Sequence, residues 1–280
     1  MSTLEIEHLT PHIGSIIHNI DLADADALER HGAEIRRTFF ERQVIFFRDQ
    51  QLAPSDQSRF ARIFGRVLPA QLSTFKIHPE DDAVCILESL GKKTQSTDTW
   101  HADFTYHESP PIATCLYARE VPKMGGDTMF ASMTTAFESL DPHMQEYVRT
   151  LQVIHNWEAP QVVSSMLNGP RGLEGYKERR SKFFPATKPA VIPHPITGKE
   201  ILYVNSLYNK DIVGMRIPQS NALLTFLTGL AEVPEWQVRF KWEANSLAVW
   251  DNWATQHYAV NDYHPAHRIM HRVAIQLDAS

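Results

Sequence analysis

In the stretch TWHADFTY, residues 99–106, His101 and Asp103 stand two positions apart between large aromatic side chains. In an extended strand residues i and i+2 point to the same face, so an imidazole nitrogen and a carboxylate oxygen at this spacing converge on one point. They present two neighbouring ligands to a borderline divalent metal. A second histidine would complete the two-histidine, one-carboxylate set that leaves positions open on non-haem iron. The pair alone proves little, since a hydrogen-bonded structural dyad is the commoner reason for such spacing. The block WDNWATQHYAVNDYHPAHRIMHRVAI, residues 250–275, holds the second concentration of such groups: His257, then Arg268 and Arg272. Arginine is a planar, permanently charged fork suited to a carboxylate. His257 lies more than half the chain beyond Asp103, so the two meet only in a fold that brings distant strands together.

The elements that would do so are legible in part. LEIEHL and IGSIIHNIDL read as short strands, ALERHGAEIRRTFFERQ as a helix, VIFFRDQ as a buried strand, and SDQSRFARIFG as a second helix opened by Pro54 and ended by Gly65. AVCILESL reads as a strand, GKKTQSTDT as a loop, and residues 99–106, rich in aromatic strand formers, as a further strand. Beyond Ile112, strand candidates alternate with turns, among them the glycine pair of PKMGGDT and ITGKE between PAVIPH and ILYVN. Helical periodicity returns in TTAFESLDPHMQEYVRTL and SNALLTFLTGLAEV, and WQVRFKW, SLAVWDN, QHYAV and HRIMHRVAIQL read as consecutive strands. The expected architecture is mainly β with α: a single domain over residues 1–280, with a double-stranded β-helix (jelly-roll) core and flanking helices. Residues 158–188 show no clear pattern, and a connection of that length is expected to be a functional lid.

Composition narrows the class. The chain has 280 residues, 43% of them hydrophobic, enough for a substantial core, and no apolar run of membrane-spanning length. A net charge of -6 argues against a nucleic-acid binder. Two cysteines, Cys85 and Cys115, are too few for a disulfide framework, and the amino terminus lacks a secretion pattern. The expectation is a soluble, cytoplasmic protein, with homo-oligomers left open.

The motifs GSIIHNIDL, RQVIFFRDQ, FARIFG, WHADFTYHESPP, GGDT, HPITGKEILYVN and WDNWATQHYAVNDYHPAHRIMHR, in this order, resemble those of the TauD/TfdA family of Fe(II)- and 2-oxoglutarate-dependent dioxygenases. The resemblance implies iron ligation by His101, Asp103 and His257, and 2-oxoglutarate binding by Thr128 and Arg268, with O2 as co-reactant. It also implies a small anionic organic substrate held by Arg272, which alternation along a strand places on the face of Arg268. For Arg272 the bland reading is support of Arg268 or Asp251; for Arg268, a strand salt bridge; for Thr128, a turn hydroxyl. Asp103 keeps the carboxylate that halogenating members of this fold lack, so hydroxylation is expected. If the hydroxylated carbon carries a sulfonate, sulfate ester or aryl ether oxygen, the product collapses and releases that group.

Taurine itself fits poorly. Ala70, Ser73 and Thr97 stand where the family's taurine contacts are a histidine, a tyrosine and an asparagine, which enlarges the pocket and leaves an amine unpaired. Tyr208 and Gln161 align with lining residues, and His155 and Trp157 border the site or form a buried structural pair. Alkyl sulfonates, alkyl sulfates or aryloxyalkanoates are therefore the expected substrates. The rival readings are a tailoring oxygenase acting on an amino-acid-derived acid and a non-enzymatic 2-oxoglutarate or metal sensor. A zinc hydrolase is disfavoured because no general base is evident beside the triad and Arg268 would lack a purpose.

Overall fold

The computed structural model describes residues 4–70, 76–90, 98–169 and 171–278. Its larger sheet is built from β1 (Glu5–His8), β2 (Ser15–His18), β3 (Val44–Phe47), β4 (Arg66–Val67), β5 (Lys76–His78), β6 (Asp81–Leu90) and β7 (Ala113–Glu120), with two strands from the far end of the chain inserted among them. The smaller strands that follow are β8 (Thr128–Ser132), β9 (Gln152–His155), β10 (Ala186–Pro189), β11 (Val191–Pro193), β12 (Glu200–Leu202), β13 (Asn209–Ile212) and β14 (Gln237–Phe240). The late strands are β15 (Leu247–Asp251), β16 (Thr255–Ala259) and β17 (His267–Gln276). In the large sheet the order is β1-β2-β3-β15-β7-β17-β6-β5, with β4 on β17; facing it is the order β14-β8-β16. Interleaving of early and late strands is the jelly-roll topology, and all pairings are antiparallel except β2 with β3.

Apolar residues on the inner faces make the core between the sheets: Phe46, Leu116, Ala248, Trp250 and Met270 on one side meet Phe130, Val238 and Phe240 on the other. The outer face of the large sheet is covered by α1 (Ala25–Arg42) and α2 (Pro54–Ala61), which bury Ile35, Phe39 and Phe60 against Ile45, Val249, Val273 and Ile275. Helix α1 starts where Asp24 accepts hydrogen bonds from the Asp26 and Ala27 amides, and stops at Gln43, which is left-handed at φ 65°. The segment expected as one helix after β8 is two, α3 (Met133–Glu138) and α4 (Pro142–Arg149). Asp141 caps the second and Pro142 sits at its first position, where its missing N–H costs nothing. Helix α7 (Ile217–Gly229) packs behind the small sheet. None of the helices among the described residues is long and apolar enough to cross a membrane.

Two further local expectations differ from the structure. Residues 158–188, read as patternless, carry α5 (Pro160–Leu167) and α6 (Gly172–Lys182). The second has no apolar stripe to show in a sequence, and the first shows only the short face of Val162, Val163 and Met166. Residues 99–106 are not a strand. His101 makes one isolated bridge with His257, and Asp103–Tyr106 form a turn in which Phe104 is left-handed at φ 56°. The backbone of Asp103 is engaged by a side chain instead of by a neighbouring strand.

Candidate active site

His101, Asp103 and His257 come together even though the strand expected to hold the first two does not form. One ligand atom from each lies within 4.8 Å of the others. The bridge from His101 to His257, with its two backbone hydrogen bonds of 3.1 and 2.8 Å, brings the end of the 98–101 segment onto β16, and the imidazole centroids lie 4.1 Å apart. His101 Nδ1 is 2.7 Å from the Thr99 carbonyl oxygen. A carbonyl only accepts, so Nδ1 carries the proton and Nε2 presents its lone pair, 3.7 Å from Asp103 Oδ1. Burial lowers the pKa of His101, and that of His257 to about 3, so both rings are neutral donors. His257 Nδ1 is buried without a hydrogen-bond partner among the described residues.

Asp103 is held from behind by Asn252, a fully buried residue at the start of the turn between β15 and β16. The Asp103 N–H donates to Asn252 Oδ1 at 2.7 Å, while Asn252 Nδ2 donates to the carbonyls of Asp103 at 2.7 Å and Pro111 at 3.1 Å. This grip replaces a strand ladder and leaves the carboxylate aimed at the two imidazoles. Two residues on, Thr105 Oγ1 meets His155 Nδ1 at 2.9 Å and accepts from Asn205 Nδ2 at 3.2 Å. His155 is thus a buried support of the turn, with its pKa pushed down to about 3 by burial. Trp157, also fully buried, donates from Nε1 to the Phe183 carbonyl at 3.2 Å.

Along β17, Arg268, Met270 and Arg272 alternate onto the inner face, and Met270 is buried between the sheets. Arg272 donates to Asp103 Oδ2 at 2.5 Å, so its partner is Asp103, and neither Arg268 nor Asp251. Burial raises the Asp103 pKa, but the charge of Arg272 leads the groups that outweigh it and hold the carboxyl below its ordinary value. Burial likewise opposes the charge on Arg272, and Asp103 more than restores it. Arg268 stands differently. Its guanidinium lies 5.9 Å from the Trp242 ring and 5.8 Å from the Tyr263 ring, no described carboxylate lies within ion-pair distance, and Nε has no partner among the described residues. Burial lowers its pKa, with Tyr263 opposing. Trp242 Nε1 donates to Thr128 Oγ1 at 2.9 Å, which ties the threonine to the wall beside Arg268. The GGDT turn reaches Thr128 through Gly125 and Gly126 at φ 76° and 73°, and a Cβ on Gly125 would fall 2.4 Å from Asp262 Oδ1.

A cavity of about 540 Å³ opens beside Arg272. Phe104, His107, Phe183, Ala70 and Cys85 line it, and no described carboxylate does. Tyr208 does not line it; its ring lies 6.3 Å from that of His101 and 5.1 Å from that of Tyr106. Gln161 is exposed on α5 and does not line the cavity, and Ser73 and Thr97 lie outside the described residues. Helix α6 lies over the turn: Arg179 donates to the Tyr106 hydroxyl and stacks 5.1 Å from the Trp157 ring. The sequence reading missed Asn252, Trp242, Arg66, His107 and Phe183. Asn252 and Trp242 show no pattern of their own, because their value lies in contacts with residues far away in the chain.

The taurine catabolism dioxygenase TauD, TfdA family matches residues 5–274. The chain is 32% identical to an alkylsulfatase of Acinetobacter baylyi, over 97% of this chain and 84% of that protein. It is also 32% identical to an alpha-ketoglutarate-dependent sulfate ester dioxygenase of Pseudomonas putida, over 97% and 89%. Among solved structures, a taurine dioxygenase from Burkholderia xenovorans superposes with a TM-score of 0.78 at 29% identity, covering 99% of this chain and 92% of the other. Likeness along almost the whole length, on a jelly roll that gathers the histidines and aspartate quoted in the sequence, makes this chain a member of the TauD, TfdA family and a 2-oxoglutarate-dependent dioxygenase.

Proposed function

We propose that His101, Asp103 and His257 hold Fe(II), that Arg268 and Thr128 hold the distal carboxylate of 2-oxoglutarate, and that Arg272 orients a small organic anion for hydroxylation. The donor set, two neutral imidazoles and one carboxylate, suits non-haem iron and leaves positions free for the cosubstrate and dioxygen. When bound, iron and 2-oxoglutarate supply oxidative decarboxylation to succinate and CO2, coupled to insertion of one oxygen atom into a substrate C–H bond.

The chain's own residues position and exclude. Arg268, half-buried with its Nε buried and no acidic partner among the described residues, is an incomplete ion pair that a carboxylate completes, and Thr128 adds a neutral hydrogen bond. Arg272 offers its remaining N–H groups to an anionic head beside the metal ligands, while Phe104 and Phe183 keep water from the apolar part. The α5–α6 segment is the lid, fastened through Arg179 to Tyr106.

The observation that carries this reading is the cavity ended by Arg272, with no carboxylate among its described lining residues, joined to the His–Asp–His cluster through the Arg272–Asp103 pair. Sulfate esters and sulfonates, the groups named for relatives, present that anion, and so do aryloxyalkanoates. Hydroxylation at the carbon bearing such a group gives a product that collapses to a carbonyl compound and frees it. Taurine, a short amine, leaves the cavity underfilled. The test is succinate formation with Fe(II), ascorbate, 2-oxoglutarate and oxygen over a panel of alkyl sulfonates, alkyl sulfates and aryloxyalkanoates. Stimulation by one class supports the reading; silence throughout refutes it.

A further inference from the structure

The cavity has two cationic ends. At the inner end Arg272 on β17 is in register with Cys85 on β6, and at the outer end Gln276 on β17 is in register with Arg66 on β4. Side chains alternate along a strand, so Arg272, Ala274 and Gln276 face the same space, and all three line it. Four residues of strand separate the ends by about 13 Å. Apart from His107 and Ser109 the rest of the lining is apolar, Leu68, Pro69, Ala70, Ala83, Ala274 and Leu277 among it. Small residues on the floor leave room for an extended chain, not for a compact polar group.

Arg66 also lines the cavity, and no described carboxylate lies within ion-pair distance of it. Arg272 is already matched by Asp103, so the unmatched charge of the cavity sits at its mouth. A methyl-ended tail reaching that point would lie against a guanidinium it cannot pair. A tail ending in a carboxylate would pair it while its spacer stays on the apolar floor. We propose that Arg66 is a second anion-recognition point, and that the preferred substrate carries an anionic head, an apolar spacer and a terminal carboxylate. This rests on the reading of Arg272 as the holder of the head group.

Calorimetric titration of the 2-oxoglutarate-loaded protein with decyl sulfate and with its ω-carboxy counterpart of equal chain length tests it. At low salt the dianion should bind about fivefold more tightly, the advantage should shrink at high ionic strength, and Arg66→Gln should abolish it. Arg66 is exposed, so the variant should fold normally, and its melting temperature checks this. Equal or tighter binding of decyl sulfate, an advantage that survives Arg66→Gln, or no binding of either probe overturns the proposal. Succinate released with decyl sulfate but without preference for the dianion would sink this inference and leave the proposed chemistry standing.

Discussion

Replacing Asn252 by alanine removes three hydrogen bonds at once: the one Asp103 N–H donates to Oδ1, and the two Nδ2 donates to the carbonyls of Asp103 and Pro111. Each bond contributes about 1 to 1.5 kcal/mol net, and the stranded backbone groups are buried, so the loss should total about 3 to 5 kcal/mol. That is a large share of the roughly 5 to 15 kcal/mol that holds a domain folded. The same change frees the Asp103 turn, in which Phe104 is held in a left-handed conformation, so the carboxylate loses its aim. Metal affinity should fall about 10- to 100-fold, the usual cost of removing an outer partner of a metal ligand. Urea unfolding should show a lowered midpoint at unchanged slope, and Co(II) titration below the unfolding range should show the weaker affinity. A stability loss under about 1 kcal/mol, together with native Co(II) affinity, would refute the clamp.

Four further outcomes follow from the same geometry. His101→Ala and Asp103→Ala should each abolish iron-dependent succinate formation, and native turnover in either would break the ligand assignment. Arg268→Ala should raise the 2-oxoglutarate requirement about 10- to 150-fold, the equivalent of a lost charge-assisted bond of about 1.5 to 3 kcal/mol, while an unchanged requirement would count against it. Arg272→Ala should weaken the organic substrate more than the cosubstrate in paired KM measurements, and the reverse ranking would remove its role. His155 has a folded pKa of about 3 against an ordinary 6.5, so as pH falls the unfolded chain takes up the proton first. Its stabilisation is complete above pH 6.5 and is lost toward pH 3; between pH 7 and pH 4.5 the urea midpoint should drop less in His155→Gln than in the native protein.

The sequence alone determined which groups are candidates for the proposed chemistry. His101, Asp103, His257 and Arg268 could be named from their types and from motifs that resemble the family's, and alternation along a strand put Arg272 on the face of Arg268, because a two-residue period survives in any regular strand. The strands flanking the core were equally readable from their apolar runs. Tertiary structure decided how the groups meet. Residues 99–106 have strand-forming side chains, yet the isolated bridge and the Asn252 grip make them a turn, since a distant amide satisfies the Asp103 backbone better placed than any ladder. The partner of Arg272, the lack of a described carboxylate beside Arg268 and the two-ended cavity likewise arise only when β4, β6 and β17 lie side by side. Local propensity acts over a few residues, whereas burial and pairing of charge depend on neighbours that only the folded chain supplies.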